Sequence, residues 1–462
     1  MAETSGGGIA GAVTRRGQLA AFAGLAAGPV VAACGPAAPE GQPGPSGQPV
    51  TVVYYNNLNA VHPESVARLA LLGEFNAGDG QALGITADLG NAAGGAGGNQ
   101  QGGTDGTKIK AMVSAGTPPD LYYTAYYDSA EYYVAGMTVD LDAELKGVKA
   151  WPAQRADMFP AYAESSAWLG RLVGMPGYTN VTGFIWNKGL LQQAGLAEPQ
   201  WGWSWTDFLE KASRFAGREG IVPLSFGWYW YGEWLGTTGT HEISPDRKRI
   251  TFDTPEMLDV MQFWLELLKR KIVLHNPDPT VRSGLAEQYR QAKNDTPFEQ
   301  QGVYRLVTLR QVNAPDFGVI HTPVHPAKKV VHTANGGHNL LVFKDVKPET
   351  RAAAARLAMW MNAPYAQSQM VIRGTAVPVS KAAMSDPKLN EFLKSDPHLA
   401  GFLKLAPYGW RFPSLPSRAD VTGVLGKAVE AIMYEEIGPK AGLQRAQQEA
   451  QVLLDKDVAL MK

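Results

Sequence analysis

A chain of 462 residues sets 42 Lys and Arg against 43 Asp and Glu, with 45% hydrophobic and 18% charged residues. That composition is globular and has room for two sizeable domains or one two-lobed body. A formal net charge of -1 without a basic run argues against a phosphate-tracking nucleic-acid surface, and a lone cysteine, Cys34, excludes an intramolecular disulfide and a thiolate-rich zinc site.

The first segment reads as an export signal. Arg15 and Arg16 stand at the edge of an Ala- and Gly-rich apolar stretch over residues 17–33, too short for a permanent membrane span. It ends in Val31-Ala32-Ala33-Cys34-Gly35, which resembles the lipobox of bacterial lipoproteins. There, small residues let a signal peptidase reach the backbone and the cysteine thiol takes the lipid. Thr14-Arg15-Arg16-Gly17-Gln18-Leu19 resembles a twin-arginine (Tat) export motif, departing from it at Gln18, where an aromatic is usual. The expectation is a signal peptide with lipobox over 1–34, a lipid on Cys34, and a flexible Pro- and Gly-rich linker over 35–49.

Residues 51–55 read as a short buried strand, followed by a polar loop with Asn56 and Asn57. Pro63 opens a helix whose inner face is expected to be Val66, Leu69 and Leu72. Residues 85–89 are a second strand candidate. The glycine-rich stretch 90–106 lacks phosphate-loop spacing and reads as a loop tip. A short helix over 109–115 stops at Gly116-Thr117-Pro118-Pro119, and a strand starts at Leu121. Strands alternating with helices point to an α/β body with mainly parallel pairing. Ser204 and Asp207 make a capping signature. Met257, Val260, Met261, Trp264, Leu267 and Leu268 keep helical spacing, as do Ala354, Leu357, Ala358 and Met361, and then Leu443, Ala446, Ala450, Leu453 and Leu454. These stripes are core, not cofactor boxes.

Several segments in order now resemble the extracellular solute-binding proteins of family 1, the sugar-binding components of ABC importers. They are Ala115-Gly116-Thr117-Pro118-Pro119-Asp120-Leu121; Gly136 to Leu141; Gly170 to Lys188; Trp203 to Phe208; Ile250 to Glu256; and Gly336 to Val342, with Gly374 to Pro378 after the Ala-rich helix. The resemblance runs over residues 50–460. It implies a two-lobed, periplasmic-binding-protein-like (type II) α/β fold, with mixed sheets flanked by helices and a hinge between lobes. One lobe would hold 50–174 and 320–374, the other 178–316 and 378–462. The hinge would cross near Met175-Pro176-Gly177, Phe317-Gly318-Val319 and Ala376-Val377-Pro378, where Gly and Pro suit backbone angles that must change.

The resemblance also implies a carbohydrate in the cleft. Aromatic planes cover the C–H faces of a sugar, and amide, carboxylate and guanidinium groups meet its hydroxyls. With 12 Trp and 17 Tyr the chain has planes to offer. The densest group holds Trp228, Trp230, Glu233 and Trp234. As a strand, its Trp228 and Trp230 would share one face, and one face would be core. Further candidates sit at strand ends, where open α/β sheets bind ligands: Tyr54, Asn56, Asn57, Tyr126, Asp128, Tyr178, Asn180, Asn335, His338 and Arg373, with Trp410 and Arg411 closing the cleft or packing under it.

Other chemistries are less well served. No G-x-S-x-G elbow appears, paired carboxylates cannot be placed face to face from sequence, and a lipidated Cys34 is no nucleophile, so no enzyme is expected. His321 and His325 have metal spacing for a helix, but Pro323 lies between them. No metal and no cofactor are expected. A polyol phosphate would call on Arg373 and Arg411, and ferric iron on tyrosine pairs such as Tyr126-Tyr127. The implied partners are a small solute, an ABC permease with a separate ATPase, and, through the lipid, the outer face of a bacterial membrane, in the periplasm or at the cell surface.

Overall fold

The structure, a computed structural model, describes residues 49–56, 63–89, 106–217, 228–273, 296–311, 316–374 and 376–462. The export signal, Cys34, most of the linker, Asn57 and the glycine-rich stretch 90–105 lie outside them.

The strands are β1 (Val50–Asn56), β2 (Ile85–Asp88), β3 (Leu121–Ala125), β4 (Ala167–Trp168), β5 (Arg171–Leu172), β6 (Met175–Asn187), β7 (Phe298–Gly302), β8 (Phe317–Ile320), β9 (Thr333–Val342) and β10 (Gly409–Trp410). The main sheet runs β2-β1-β3-β9-β6-β7, with β10 beside β9 and β8 beside β6. Between these strands, parallel pairing joins β1 with β2 and β3, and β10 with β9. β9 joins β3 and β6 antiparallel, and β6 joins β7 and β8 antiparallel. This corrects the expectation of mainly parallel pairing: β6 and β9 do not return through β-α-β crossovers, the connection that would enforce one direction.

β6 links two packed regions. Up to Val181 it pairs with β9, and from Thr182 onward with β7 and then β8. Its aromatic and β-branched residues suit a strand buried on both faces. Pro176 cannot donate to the ladder, and the register against β9 shifts between Pro176 and Tyr178. One core gathers β1 to β3, the start of β6 and the helices Pro63–Ala77 and Pro348–Asn362. A second gathers Phe184, Trp186, the helices Trp205–Ser213, Trp228–Gly236 and Pro255–Lys269, and the C-terminal helix Pro439–Leu460. A third, smaller core lies around Val181, Leu306, Val371 and Phe402.

Local signals hold where a side chain dictates geometry. The Ser204 hydroxyl accepts the Asp207 amide at 3.2 Å, and Asp207 Oδ2 accepts the Ser204 amide at 2.7 Å, a full capping box. Met257, Val260, Met261, Trp264 and Leu267 are buried, as are Leu443, Ala446, Ala450 and Leu454. Two expectations are corrected. In the helix Pro63–Ala77, Leu72 is buried and Leu69 packs against the core as expected, but Val66 is 54% exposed, while Glu64, Ala67, Arg68, Leu71 and Phe75 face inward. The inner stripe also carries a charged pair, so apolar spacing alone misplaces one edge of the buried face. Residues 228–231 begin a helix, not a strand. Trp230 and Trp234 are one turn apart, as are Tyr231 and Leu235, and all four are buried. Packing of those pairs overrides the strand preference of Trp and Tyr.

Candidate functional site

The candidate site forms where β3, β6, β9 and β10 meet. Across the ladder, His338 lies opposite Ala125 on one side and Tyr178 on the other. Its ring stacks on Tyr123 with centroids 4.8 Å apart and faces Tyr178 at 6.0 Å. Beneath Tyr123, the Arg68 guanidinium carbon sits 3.3 Å from the ring centroid. Arg68 also pairs with Glu64, whose carboxylate accepts the Tyr123 hydroxyl. Burial alone would raise the Glu64 carboxyl. Arg68, His338 and the hydrogen bonds from Tyr123 and Arg68 together hold it below the usual range. Tyr54 lies fully buried beside this network, and burial pushes its phenol up to about 12. Asn56 Nδ2 donates to the Ser65 hydroxyl at 3.0 Å.

Next along β9 lies a second cluster. The Arg411 guanidinium rests between Tyr126 and Tyr162, 4.6 Å from each ring centroid, and donates to the Gly336 carbonyl at 2.5 Å. The Gly336 amide donates to Asn180 Oδ1 at 2.9 Å, and Asn335 Nδ2 donates to the Tyr162 hydroxyl at 2.8 Å. Gly337 has φ of +128°, and a Cβ there would meet the Tyr178 carbonyl at 2.3 Å and Arg411 Nη2 at 2.5 Å, so only glycine lets these strands approach. Arg418 stands 3.8 Å over Tyr127, and the Asp128 carboxylate accepts Thr124 Oγ1 at 2.7 Å. Trp410 stacks flat on His241 at 4.1 Å.

The structure therefore brings together Tyr126, Asp128, Tyr178, Asn180, Asn335, His338, Trp410 and Arg411. Tyr54 and Asn56 lie behind that group. Trp230, Glu233 and Trp234 lie in the second core, where Trp234 meets Phe184, Trp205, Phe208, Phe263 and Trp264. The Trp228 side chain lies outside what is described. Arg373 is on the outer face of the helix Pro364–Gly374, bonded to Glu74 at 2.7 Å and to Gln369 at 2.9 Å, apart from the cluster. Sequence reasoning missed Glu64, Arg68, Tyr123, Tyr162 and Arg418. Only Glu64 and Arg68 left a signal, as opposite charges four apart on one helix. Among the described residues no three His, Cys, Asp or Glu side chains gather as a metal would require, and no helix is long and apolar enough to cross a membrane.

Buried acids in the second core give the protein a pH dependence. The Glu233 carboxylate accepts the Thr322 hydroxyl, and Gln300 Nε2 donates to it at 2.7 Å. Burial pushes its carboxyl up to about 7 against the pull of these hydrogen bonds, and burial does the same to Glu242. The folded state holds these protons where the unfolded chain has released them. Their contribution is therefore full below about pH 4.5 and is lost as the pH rises through 7. His241 acts in the opposite sense: burial lowers it from 6.5 to about 4, so its contribution is lost as the pH falls across that window. Each carboxyl is expected to take on the order of 1–3 kcal/mol from the unfolding free energy between about pH 5 and 8, while His241 and His332, which burial also holds below its usual range, add stability as the pH rises to about 6.5. The difference in unfolding free energy between the native protein and Glu233→Gln, measured by urea denaturation, should fall by that single-carboxyl amount across the range. A difference that does not change with pH would remove Glu233 from the account.

The chain matches the family described as bacterial extracellular solute-binding protein over residues 98–401. The cyclic alpha-maltosyl-1,6-maltose binding protein from Arthrobacter globiformis superposes with a TM-score of 0.74 at 19% identity, covering 88% of this chain and 100% of its own. The ABC substrate-binding protein Lmo0181 from Listeria monocytogenes, in complex with cycloalternan, gives 0.70 at 16% identity, with 88% and 100% covered. UgpB from Mycobacterium tuberculosis, in complex with glycerophosphocholine, gives 0.70 at 18% identity, with 89% and 99% covered. No curated protein matches by sequence. The architecture these structures share is the two-lobed α/β fold expected from the segments quoted above. With that fold in place and the family match spanning well over half of its length, the chain belongs to the bacterial extracellular solute-binding protein family.

Proposed function

We propose that the protein captures a carbohydrate outside the cytoplasm and hands it to the permease of an ABC importer, whose ATPase supplies the energy. The observation that carries this reading is the joining of stacked rings to amide and guanidinium groups on adjoining strands: Tyr123, His338 and Tyr178 beside Asn180, Asn335 and Arg411. The oligosaccharides bound by the Arthrobacter and Listeria proteins of the same fold support it. Exposure divides the labour. His338, Asn180, Asp128 and Trp410 are half-buried and meet the ligand, while Tyr126, Asn335 and Arg411 are buried and hold them in place. Opening of the lobes, with the boundaries given under the sequence, admits the solute, and only tighter binding to the closed form can favour closure. Export through residues 1–34 and a lipid on Cys34 complete the proposal.

A thermal-shift screen of the full-length protein against mono- and oligosaccharides tests it. One saccharide class should raise the melting temperature saturably. His338→Ala should weaken that ligand by about 10-fold or more, since it removes the half-buried polar edge of a ring held between Tyr123 and Tyr178. Absence of any saccharide effect overturns the reading. A second reading is a polyol phosphate. It is favoured by the two guanidinium groups of Arg411 and Arg418 about Tyr126 and by the glycerophosphocholine held by UgpB. A shift with glycerol phosphate alone would select it.

A further inference from the structure

A cavity of about 500 Å³ shares no lining residue with the cleft cluster. One wall is the helix Pro160–Ser165 with Met158, and the other is the turn Pro245-Asp246-Arg247 with Met461. Between them stands the β4–β5 hairpin, with Trp168 at its edge and Leu169-Gly170 at its tip. Met158 and Ala163 belong to the first core, while Trp168 belongs to the second, so the cavity sits on their seam.

Two features mark it as more than a packing gap. First, Leu169 and Arg247 both line it, and both hold a left-handed backbone, with φ of 50° and 60°. That conformation is unfavourable for a branched or long side chain and concentrates at functional sites. Leu169 is also 54% exposed, an apolar side chain at a hairpin turn that favours Asn or Gly. Second, the polar lining leans cationic. Arg155, Arg247 and Lys381 line the cavity with Glu164 and Asp246. Asp246 is turned to its own loop, accepting Ser244 Oγ at 2.5 Å and the Lys248 amide at 3.2 Å. Arg247 is fixed by the carbonyls of Glu164 at 2.8 Å and Ala167 at 2.9 Å. Lys381 Nζ makes one hydrogen bond, to the Ala156 carbonyl at 3.1 Å, and has two further donors to offer. Met158, Ala163, Trp168, Leu169 and Met461 supply the apolar floor and rim.

We propose that this cavity is a second small-molecule site, for an amphipathic anion: a carboxylate carrying a short aliphatic or aromatic body. The volume falls within the range of small-ligand pockets, and an apolar lining with a few convergent charges is what such a ligand meets. The helix Pro160–Ser165 serves both sites, since Tyr162 faces Asn335 and Arg411 while Pro160, Ala163 and Glu164 face the cavity.

The test is saturation-transfer NMR on the full-length protein with hexanoate and benzoate, against hexanol and benzyl alcohol. The carboxylates should bind saturably and the alcohols at least 10-fold more weakly. Lys381→Gln, an exposed change, should weaken the carboxylates by 5-fold or more, and Met461→Trp, which fills the cavity, should abolish their binding. The saccharide melting shift should survive both variants, which separates this site from the cleft. Equal binding of acid and alcohol, binding unchanged in both variants, or no saturable binding overturns the proposal.

Discussion

Replacing Arg68 by methionine is expected to lower the unfolding free energy by about 3–5 kcal/mol, the usual loss when one partner of a buried ion pair is removed. Arg68 is 1% exposed and Glu64 3%, so the carboxylate left behind has no water to turn to. Its remaining partners include the Tyr123 hydroxyl, which cannot balance a full charge. The Tyr123 ring, on which His338 stacks, also loses the guanidinium beneath it. Chemical denaturation measures the loss. The double variant Glu64→Gln with Arg68→Met should recover more than half of it, because a buried pair replaced as a unit leaves no orphan charge. If the double variant is no better than the single one, packing and not charge explains the effect.

Trp234→Ala should cost a similar amount, about 3–5 kcal/mol, through the cavity it opens. The indole is fully buried, with Phe263 at 5.4 Å and Trp205 at 5.7 Å between centroids, and its Nε1 donates to Gln300 Oε1 at 2.9 Å. Trp234→Phe keeps most of the volume but leaves that amide oxygen without its donor, for a loss of about 1–3 kcal/mol. Denaturation midpoints order the two variants. A loss below about 1 kcal/mol for the alanine variant would move Trp234 out of the core.

These variants also show what one sequence can and cannot tell. The helices Pro255–Lys269 and Pro439–Leu460 were legible because their apolar residues repeat at the helical period. The capping box was legible because two side chains three apart suffice to form it. At residues 228–236 the same aromatic run suits a strand or a helix, and the choice is made by Phe184, Phe208 and Phe263, which lie elsewhere in the chain. The candidate site divides the same way. Tyr126 is legible because it follows the end of β3, and strand ends collect ligand groups; Tyr178, Asn180, Asn335 and His338, expected at strand ends, lie inside the long strands β6 and β9 instead. Tyr162 is not legible, since its place under Arg411 depends on contacts across the fold. Arg373 shows the converse: it has the right chemistry, yet its helix turns it to Glu74.

The ladder of the main sheet has a consequence for how the chain is made. β3 finds its neighbour in β9, with Leu121 opposite Val342, and β1 to β3 cannot finish their core until that distant strand has been synthesised. The second core waits longer, because the helix Pro439–Leu460 completes it. Contacts so far apart along the chain make for slow folding. Neither core can therefore be closed from the N-terminal part of the chain alone: the first waits for β9 and the second for the helix Pro439–Leu460.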